Sequence, residues 1–503
     1  MPGSERAGTG RGTGAPRMPI DWGSHLLGVI SWVSFLPFLL WRLREVSLPP
    51  IGIVFCVWVL GTSARLFYLQ DVLSFKEGAA FVDLAQSVET GLWVLCVSSL
   101  LIALGYSASL MIGRSAIGLP RGRDGRRFWP TAGESEEVDV QVLRYVGLVA
   151  YSLGLSAIYG FLWWRFGGWP GFRQVFATSS AIRSFELAEG VTGNAAGLLA
   201  LCWPAELVSW IVLWWAVNER RTTVGKKVGA LAVFLAGLLL SMSVGIVLGS
   251  RWGTIKPLLM SGWAWALLVK ARFAAAGVVV IGSAVAAAPI LYLQGEIRAN
   301  WQEGEAVLDQ VVLNPLEIGR ELILKLGETG HFVAVERTGY ISEYVLAGLN
   351  EFPLGGSFVS AIVALVPRAV YPNKPVIHEG VFVAERIAGV YSGAGYPAGL
   401  IGGLLLNFGP LGLLALIAYG ASVAYLDGQA GRAAREPRAF LVVMTFGVVI
   451  TFDLLQSGIA TSLATIIVKG GVLAVISRIV IVRRTKASRA ARVPLHRKGQ
   501  ANA

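Results

Sequence analysis

Long apolar runs dominate this chain of 503 residues and limit its fold more than any other feature. A helix needs about 20 mostly apolar residues to cross a bilayer, where each backbone polar group must find its partner within the segment. About eleven such runs occur, at residues 22–41, 49–69, 88–112, 142–165, 195–217, 228–248, 252–269, 273–294, 398–425, 439–457 and 459–482. The sequence therefore predicts an all-α polytopic membrane protein with about 11 (10–12) transmembrane helices.

Composition excludes several other classes of protein. Apolar residues make up 54% of the chain and charged residues only 15%, far from the values of a soluble domain. The formal charge of +12 comes from short loops and the C-terminal tail, so membrane orientation explains it better than nucleic-acid binding. Cys56, Cys96 and Cys202 fall in separate predicted spans, which excludes a disulfide framework or a Cys-rich metal site. Arg42 and Arg44 follow the first run where a signal peptide would have small residues, so this run is predicted to be a retained span.

Arginine and lysine predict the side of the membrane on which each loop lies. The tail after residue 482 is strongly basic, so the positive-inside rule places it in the cytoplasm. Five loops on the same side of an eleven-span chain are also basic, whereas the short loops on the other side are poor in lysine and arginine. Eleven spans leave the N-terminus outside with Arg6, Arg11 and Arg17, which conflicts with the rule and allows a miscount of one span near the start.

One long segment separates two groups of spans. The predicted organisation is a disordered N-terminal tail at 1–21, transmembrane helices 1–8 at 22–294, a large external loop at 295–397, transmembrane helices 9–11 at 398–482 and a basic cytoplasmic tail at 483–503. Within the loop, mixed helical periodicity predicts short interfacial helices at 306–326 and 337–352. The apolar stretch 354–366 is shorter than a span and is a candidate re-entrant or buried segment.

The segment "GSRWGTIK" places two cations at the predicted external ends of spans six and seven. An ionisable residue at membrane depth is costly and is therefore a functional candidate. Arg251 has the alternative of anchoring the helix at the outer headgroups together with Trp252. Positive charge on this side runs against the orientation bias, however, and Lys256 lies a full helical turn deeper. Together with the accessible backbone around Ser250, the two cations predict a socket for an anion.

A run rich in proline and charge, "LVPRAVYPNKPVIHEGVF", closes the external loop. Its prolines remove backbone donors and fix φ, which predicts a stiff, non-helical hairpin. Arg368 and Lys374 flank the turn that contains Tyr371. Arginine binds phosphate through a planar fork and lysine as a mobile charge, so these residues and the "GSRWGTIK" cations would suit a diphosphate at headgroup depth. An ordinary solvated loop is the alternative for Arg368 and Lys374.

Four further residues complete the candidate site. His378 and Glu379 end the proline-rich run and are candidates for proton transfer near neutral pH. Arg337, also in the external loop, is a candidate for substrate binding. Asn407 lies about two turns into the apolar run that begins "GYPAGLIGGLLLNFGPLG", where it could bond a neighbouring helix as readily as a sugar hydroxyl.

These motifs, in their order along 245–415, resemble the Wzy-type oligosaccharide repeat-unit polymerases of O-antigen, capsule and exopolysaccharide pathways. The resemblance is carried by "GSRWGTIKPLL", "VPRAVYPNKP" and "GYPAGLIGGLLLNFGPLG", separated by a long external segment. Two positions depart from the family pattern. Trp252 stands where a glycine is common, and no acidic residue stands just before the Asn-Phe-Gly run at Asn407.

The resemblance implies an inverting, metal-independent glycosyltransferase of the membrane-embedded GT-C-like class, without a cofactor. It implies transfer of a growing glycan from undecaprenyl diphosphate to the next lipid-linked repeat unit at the periplasmic face of a bacterial inner membrane. Arg251, Arg368, His378 and Glu379 are then the catalytic candidates, and Lys256, Lys374, Tyr371, Asn407 and Arg337 the substrate-binding ones. Chain-length regulator and flippase proteins of the same pathway are the expected protein partners.

Three other functions remain open. An O-antigen ligase uses the same donor with a lipid A-core acceptor and is poorly separated by sequence. A flippase or other transporter would spread charge along a transmembrane path and commonly has repeated halves, whereas the chain shows no internal repeat. A structural subunit of an export complex would leave the external cluster without a role. The chain has no Asp-x-Asp motif, which argues against a metal-held nucleotide-sugar donor.

Overall fold

The computed structural model describes a bundle that is almost wholly helical. It covers residues 22–46, 48–66, 69, 84–118, 134–168, 171–178, 200–219, 223–248, 250–269, isolated positions between 275 and 297, and residues 335–366, 371, 379–387 and 397–485. The tail predictions for 1–21 and for the residues after 485, and the interfacial helix predicted at 306–326, lie outside this part of the chain.

The first half of the described chain has eight principal helices. They are α1 (Trp22–Val33), α2 (Leu36–Arg42), α3 (Pro50–Val59, continued by a π-helical turn at Leu60–Ala64), α4 (Leu84–Gly118), α5 (Val140–Phe166), α6 (Trp203–Asn218, after a 3-10 turn at Ala200–Cys202), α7 (Val224–Val247) and α8 (Arg251–Val269). A short helix also covers residues 172–178.

The second half combines short and long helices. They are α9 (Val335–Leu346), α10 (Gly356–Ala364), α11 (Glu379–Phe382, continued by a π-helical turn at Val383–Ile387), α12 (Gly399–Phe408), α13 (Ala415–Ala433, after a 3-10 turn at Gly409–Leu414), α14 (Pro437–Val448, continued by a π-helical turn at Val449–Asp453), α15 (Leu454–Ser457) and α16 (Ile459–Val480). The predicted helix at 337–352 corresponds to α9, and the short apolar segment at 354–366 corresponds to α10.

Seven helical segments of the described chain are long and apolar enough to cross a membrane. They are Gln86–Ile112, Val140–Phe166, Ala200–Asn218, Val224–Val247, Gly399–Ala433, Pro437–Ser457 and Ile459–Val480. An eighth is added if α1 and α2, which meet at a bend of 40°, form one broken span. The chain is therefore a multi-pass membrane protein.

Four of the eleven predicted spans differ from these long helices. The run at 22–41 is the bent pair α1 and α2, and the run at 49–69 is the shorter apolar helix Pro50–Ala64. The run at 252–269 is helical but is not among the seven, and only isolated residues of 273–294 are described. The number eleven remains a prediction, whereas seven or eight spans have helices of suitable length.

Contacts between helix ends define the two sides of the bundle. Trp214 Nε1 donates to the carbonyl oxygen of Ala433 at 2.8 Å, and Arg438 Nη2 donates to that of Ile481 at 3.1 Å. These residues border segments that are predicted to be cytoplasmic. We call this side of the bundle the inner end and the opposite side, where α8 and α16 begin, the outer end.

A two-stranded antiparallel sheet at the inner end is the one departure from an all-α fold in the described chain. Strands β1 (Glu134–Val138) and β2 (Ile481–Thr485) pair so that Glu136 faces Arg483 and Val138 faces Ile481. β-Branched residues in facing positions, such as Val138 and Ile481, favour such a pair. The first residues of the predicted basic tail therefore belong to a strand.

Buried apolar side chains form two large clusters. One is built mainly by α5, α6, α7, α8, α14 and α16, and the other by α3, α4, α9, α12 and α13. Glycine lets α4 approach two partners closely. A Cβ atom on Gly339 of α9 would collide with the Ser87 carbonyl of α4, and one on Gly420 of α13 would collide with the Ile102 carbonyl. Small residues at helix crossings are typical of membrane bundles.

Candidate functional site

The start of α8 sets the position of the first predicted cations. Ser250 Oγ accepts the backbone N–H of Gly253 at 3.0 Å and so acts as the helix N-cap. The cap fixes Arg251 as the first residue of α8, at the outer end, and Lys256 lies five residues further along the helix. The side chain of Arg251 lies outside the described part of the chain.

Lys256 is paired with the carboxylate of Asp453, a residue that the sequence analysis does not include among the site candidates. Its Nζ donates to Asp453 Oδ2, while Trp252 Nε1 donates to Asp453 Oδ1 at 2.6 Å. The Trp252 indole stacks on the ring of Phe452, with centroids 4.2 Å apart and an interplanar angle of 25°. Lys256 and Trp252 are one helical turn apart on α8, so one carboxylate can bind both. The charge of Lys256 is thus balanced within the protein.

A second polar cluster joins two of the predicted residues, Asn407 and Glu379, through Ser357. Asn407 Nδ2 donates to Ser357 Oγ at 2.7 Å, and its Oδ1 accepts the Ser357 backbone N–H at 2.9 Å. The Ser357 hydroxyl in turn hydrogen-bonds the carboxylate of Glu379. All three side chains are buried. We call these residues the Ser357 cluster; it joins α10, α11 and α12.

Glu379 also binds the start of α16. Its Oε2 accepts the N–H of Ile459 at 3.0 Å, and the N–H of Ala460 is a further donor. A side chain on Gly458 would collide with this oxygen, so glycine leaves the space that the carboxylate fills. Free N–H groups at a helix N-terminus favour a carboxylate. Glu379 therefore caps α16 from outside the helix.

Burial changes the proton affinity of this carboxyl group. Glu379 is only 2% exposed, and this desolvation raises its pKa above the usual range, although the hydrogen bonds from Ser357 and the α16 amides oppose the change. Its Oε1 has no hydrogen-bond partner among the described residues. Compared with an exposed glutamate, burial therefore shifts the equilibrium of Glu379 towards the neutral acid, because only one oxygen of the ionised form has hydrogen-bond donors among the described residues.

Helix α9 is fixed to the outer end by a third group of polar contacts. Arg65 Nη2 donates to Glu336 Oε1 at 2.7 Å, and both side chains are buried. Glu343, two turns along α9, accepts hydrogen bonds from Ser87 at 2.9 Å and Thr90 at 3.1 Å. The π-helical turn Leu60–Ala64 directly precedes Arg65. These contacts hold the described part of the external loop against α3 and α4.

The remaining predicted residues are described only in part. Arg337 Nη1 donates to the carbonyl oxygen of Pro397 at 2.9 Å, which links α9 to the residues before α12. Tyr371 is described as an exposed residue. Arg368, Lys374 and His378 lie outside the described residues, so their contacts stay predictions.

Asp453 is close in sequence to the start of α16, which binds Glu379 of the Ser357 cluster. Asp453 and Ile459, whose amide binds Glu379, are six residues apart, and the short helix α15 fills most of the interval. The helix breaks at Gly458, between Ser457 and Ile459. The structure thus brings Asn407 and Glu379 together, and it gives Lys256 a different direct partner, Asp453.

Acids with polar partners also occur elsewhere in the bundle. Lys469, in the middle of α16, donates to Glu206 Oε2 of α6 at 3.1 Å. Towards the inner end, Tyr106 donates to Asp427 Oδ2 at 2.5 Å and accepts from Arg42 Nε at 3.3 Å. Applied to every predicted span, the rule that identified Lys256 also finds Asp453, Glu206 and Lys469, whereas Asp427 lies two residues beyond the predicted span 398–425. The described residues include no group of three or more His, Cys, Asp or Glu side chains that could hold a metal ion.

Comparisons with known proteins add no relative: no family model, curated protein or solved structure matches the chain. The class that the fold defines is that of a multi-pass, mostly helical membrane protein with buried polar groups at its outer end.

Proposed function

We propose that the protein polymerises undecaprenyl-diphosphate-linked oligosaccharide repeat units, as a Wzy-type polymerase does. It would be an inverting, metal-independent glycosyltransferase that acts at the periplasmic face of a bacterial inner membrane. The growing glycan is transferred from its lipid diphosphate to the next lipid-linked unit.

The observation that carries this proposal is the anchoring of Glu379. Its carboxylate binds the start of α16, and through Ser357 it contacts Asn407 of α12. Glu379 lies near the end of the proline-rich run, so that part of the run is held at the start of α16, beside α10 and α12. This is where a run that binds a lipid diphosphate at headgroup depth has to be attached.

The chemistry requires a stabilised leaving group. A hydroxyl of the acceptor sugar attacks the anomeric carbon of the chain, the bond from that carbon to the diphosphate oxygen breaks, and undecaprenyl diphosphate leaves with the electron pair. Arg251, Arg368 and Lys374 are the proposed donors to the diphosphate, because fixed cations stabilise charge that develops in the transition state. The hydroxyl proton passes to a base.

His378 is the base that we favour over Glu379. The carboxylate of Glu379 is buried and engaged with the α16 amides, so it positions the neighbouring residue. An imidazole titrates near neutral pH and is suited to accept the hydroxyl proton.

The deciding experiment supplies the purified protein with one synthetic undecaprenyl-diphosphate repeat unit. A ladder of longer products is expected. Two results would favour a ligase over a polymerase. In the first, the unit is consumed but no ladder forms; in the second, the unit is consumed only when a lipid A-core acceptor is present.

Substitutions at two arginines test the roles of the cations. We expect Arg368→Ala and Arg251→Ala to slow elongation by about 10²-fold or more, the usual effect of removing one electrostatic contact to a transition state. Protein level in the membrane is the control. Near-normal chain length in both variants would remove the diphosphate site from the proposal.

A lipid-linked oligosaccharide flippase is the second candidate, and one observation favours it. Acids with polar partners occur near the outer end and towards the inner end of the bundle, as at Asp453 and Asp427, and the lysine that pairs with Glu206 lies in the middle of α16. A transport path would spread charge in this way. Movement of a fluorescent lipid-linked oligosaccharide across proteoliposomes, without any ladder, would favour the flippase.

A further inference from the structure

One carboxylate controls two residues of the "GSRWGTIK" segment. Asp453 Oδ1 accepts the Trp252 Nε1 hydrogen at 2.6 Å, and Oδ2 accepts from Lys256 Nζ. Each oxygen has its own donor, so either contact can open while the other persists. The indole is fixed by its stacking on Phe452, whereas the lysine reaches Asp453 through a flexible four-carbon stem.

The position of this pair differs from that of the other buried lysine pair. Lys256 and Asp453 are 16% and 15% exposed, and Lys469 and Glu206 are 10% and 17% exposed, so burial within the protein is similar. Lys256 lies in the second turn of α8, near the outer end, whereas Lys469 lies in the middle of α16. Of these two lysines, Lys256 therefore lies nearer to the outer end of its helix and to an anion at headgroup depth.

We propose that Asp453 is a displaceable counter-ion that makes the Lys256 site selective for a diphosphate. In the resting site Lys256 is neutralised by Asp453. An incoming diphosphate with two or more negative charges draws Lys256 away, and Trp252 keeps the carboxylate in place. The identity of the anion as a lipid diphosphate rests on the proposed function.

Competition between anions gives the selectivity. The phosphodiester of an ordinary lipid headgroup carries a single negative charge, as Asp453 does, and it must compete with a carboxylate that is already in contact. A diphosphate has more charge and more acceptor oxygens, and charge-assisted hydrogen bonds are stronger than neutral ones. The hydrogen bond from Trp252 lowers the cost of leaving Asp453 without its lysine. Asp453 is thus a specificity-determining residue.

Binding of undecaprenyl diphosphate tests the proposal without any turnover. The full chain is placed in phosphatidylcholine nanodiscs and titrated with this lipid, with inorganic pyrophosphate in a second arm and with phosphatidylglycerol added to the discs in a third. We expect Asp453→Asn to tighten binding of the lipid diphosphate about tenfold, which is about 1.4 kcal/mol. Phosphatidylglycerol should weaken binding in this variant but not in the wild type.

Two companion variants establish that the effect acts through Lys256. Lys256→Gln should weaken binding about tenfold, and the double variant with Asp453→Asn should gain nothing further, because the two residues act on one contact. If the ratio of variant to wild-type affinity is the same for inorganic pyrophosphate, the site recognises the anion itself. If the ratio differs from one only for the lipid, the polyprenyl chain also contributes to recognition. Either result supports the counter-ion role.

The matched control is Glu206→Gln. This substitution also removes the acid of a buried lysine pair, and it should leave diphosphate affinity unchanged even where it lowers stability. Asp453→Glu retains the charge and should stay within about threefold of the wild type, by the same charge argument. If Asp453→Asn does not fold, Asp453→Ser retains an acceptor for the indole and should tighten binding in the same direction.

Equal or weaker binding by folded Asp453→Asn or Asp453→Ser would overturn the proposal, because Asp453 would then only position Lys256. The same holds if phosphatidylglycerol competes with the diphosphate in the wild type. A protein that binds as expected but yields no product ladder contradicts the polymerase proposal and leaves the counter-ion intact.

Discussion

At the scale of single residues, the Ser357 cluster changes the interpretation of two site candidates. Asn407 donates both amide hydrogens within the protein, to Ser357 Oγ and to the Gly403 carbonyl oxygen at 2.6 Å. Of the two predicted roles of Asn407, a bond to a neighbouring helix or to a sugar hydroxyl, the structure shows the bond to a neighbouring helix. Glu379 is occupied by α16 in the same way. Both residues hold the outer end in shape.

The first prediction concerns the pH dependence of stability at Glu379. Burial raises its pKa in the native protein above the usual value of about 4.3. Between the two values the native state binds more protons than the unfolded chain, so stability falls as pH rises. The glutamine side chain of Glu379→Gln cannot ionise, so this variant does not lose stability in this way as pH rises. We expect the apparent Tm of the wild type, minus that of the variant, to decrease as pH is raised from about 4 to about 7.

Glu343→Gln is the control for this measurement, since Glu343 is also an acid of the external loop and accepts two hydroxyl hydrogen bonds. A difference at Glu379 that stays constant with pH, or increases, would contradict a raised pKa.

The second prediction concerns Asn407. In Asn407→Asp a carboxylate oxygen faces the carbonyl oxygen of Gly403, and a second carboxyl group is placed beside Ser357 and Glu379. Loss of a buried donor and burial of a charge together should cost about 3 kcal/mol or more of unfolding free energy. Asn350→Asp is the matched control. Asn350 donates to the Leu406 carbonyl oxygen of the same helix, but it is less buried, so about 1 kcal/mol is expected.

Thermal unfolding in detergent measures both asparagine variants. Equal losses of stability would show that burial of Asn407 has no special importance.

At the scale of elements, α9 shows how a helix of the external loop is attached to the membrane bundle. It crosses α4 at Gly339 and Gly91, where a Cβ atom on either residue would collide with a backbone carbonyl of the other helix. The Arg65–Glu336 pair and the hydrogen bonds of Glu343 fix its rotation. Close backbone contact together with polar contacts leaves α9 one way to pack.

The third prediction tests this crossing. Gly339→Ala should lower the unfolding free energy by about 1–3 kcal/mol, because an added methyl group forces the backbones apart. Gly160→Ala is the matched control, since Gly160 lies in a helix with no atom near an added Cβ. It should be neutral or stabilising by up to about 1 kcal/mol. Similar unfolding temperatures for the two variants would mean that the crossing is loose.

Helix positions follow from the sequence better than helix partners do. Hydropathy alone predicts the long helices such as α5 and α7 to within a few residues, because burial in lipid acts on every residue of a span. It does not predict the bend between α1 and α2 or the β1–β2 pair, which depend on residues far apart in the chain. The same limit explains why Lys256 is predicted as a site residue while Asp453, 197 positions later, is missed as its partner.

At the scale of the whole molecule, polar groups are distributed over the depth of the bundle. Three acids have hydrogen-bonded partners: Asp453 near the outer end, Glu206 with Lys469 in the middle of α16, and Asp427 towards the inner end. Asp453 and Glu206 are partly buried, and Asp427 is fully buried. Breaking such a pair by removing one member usually destabilises a protein strongly, because a charge remains buried alone. These pairs therefore specify which helices belong side by side.

The fourth prediction concerns orientation in the membrane. In a variant with Cys56, Cys96 and Cys202 replaced by alanine, a single cysteine at Tyr371 should react with a membrane-impermeant maleimide on intact cells. A single cysteine at Arg435 should react only after lysis, because positive charge holds this loop inside. Both residues are exposed in the structure. The reverse labelling pattern would contradict the predicted topology.

The pair between α6 and α16 has a consequence for biosynthesis. Glu206 is translated 263 residues before Lys469. At roughly 5–20 residues per second, a ribosome needs roughly 15–50 s to make the intervening chain. During that time α6 has entered the membrane without the partner that it has in the finished protein. The apolar cluster that contains α5, α6 and α16 can therefore be completed only after α16 has been made. In a chain that stops before α16, Glu206 has no lysine partner, and we expect quality-control proteases to degrade such a chain.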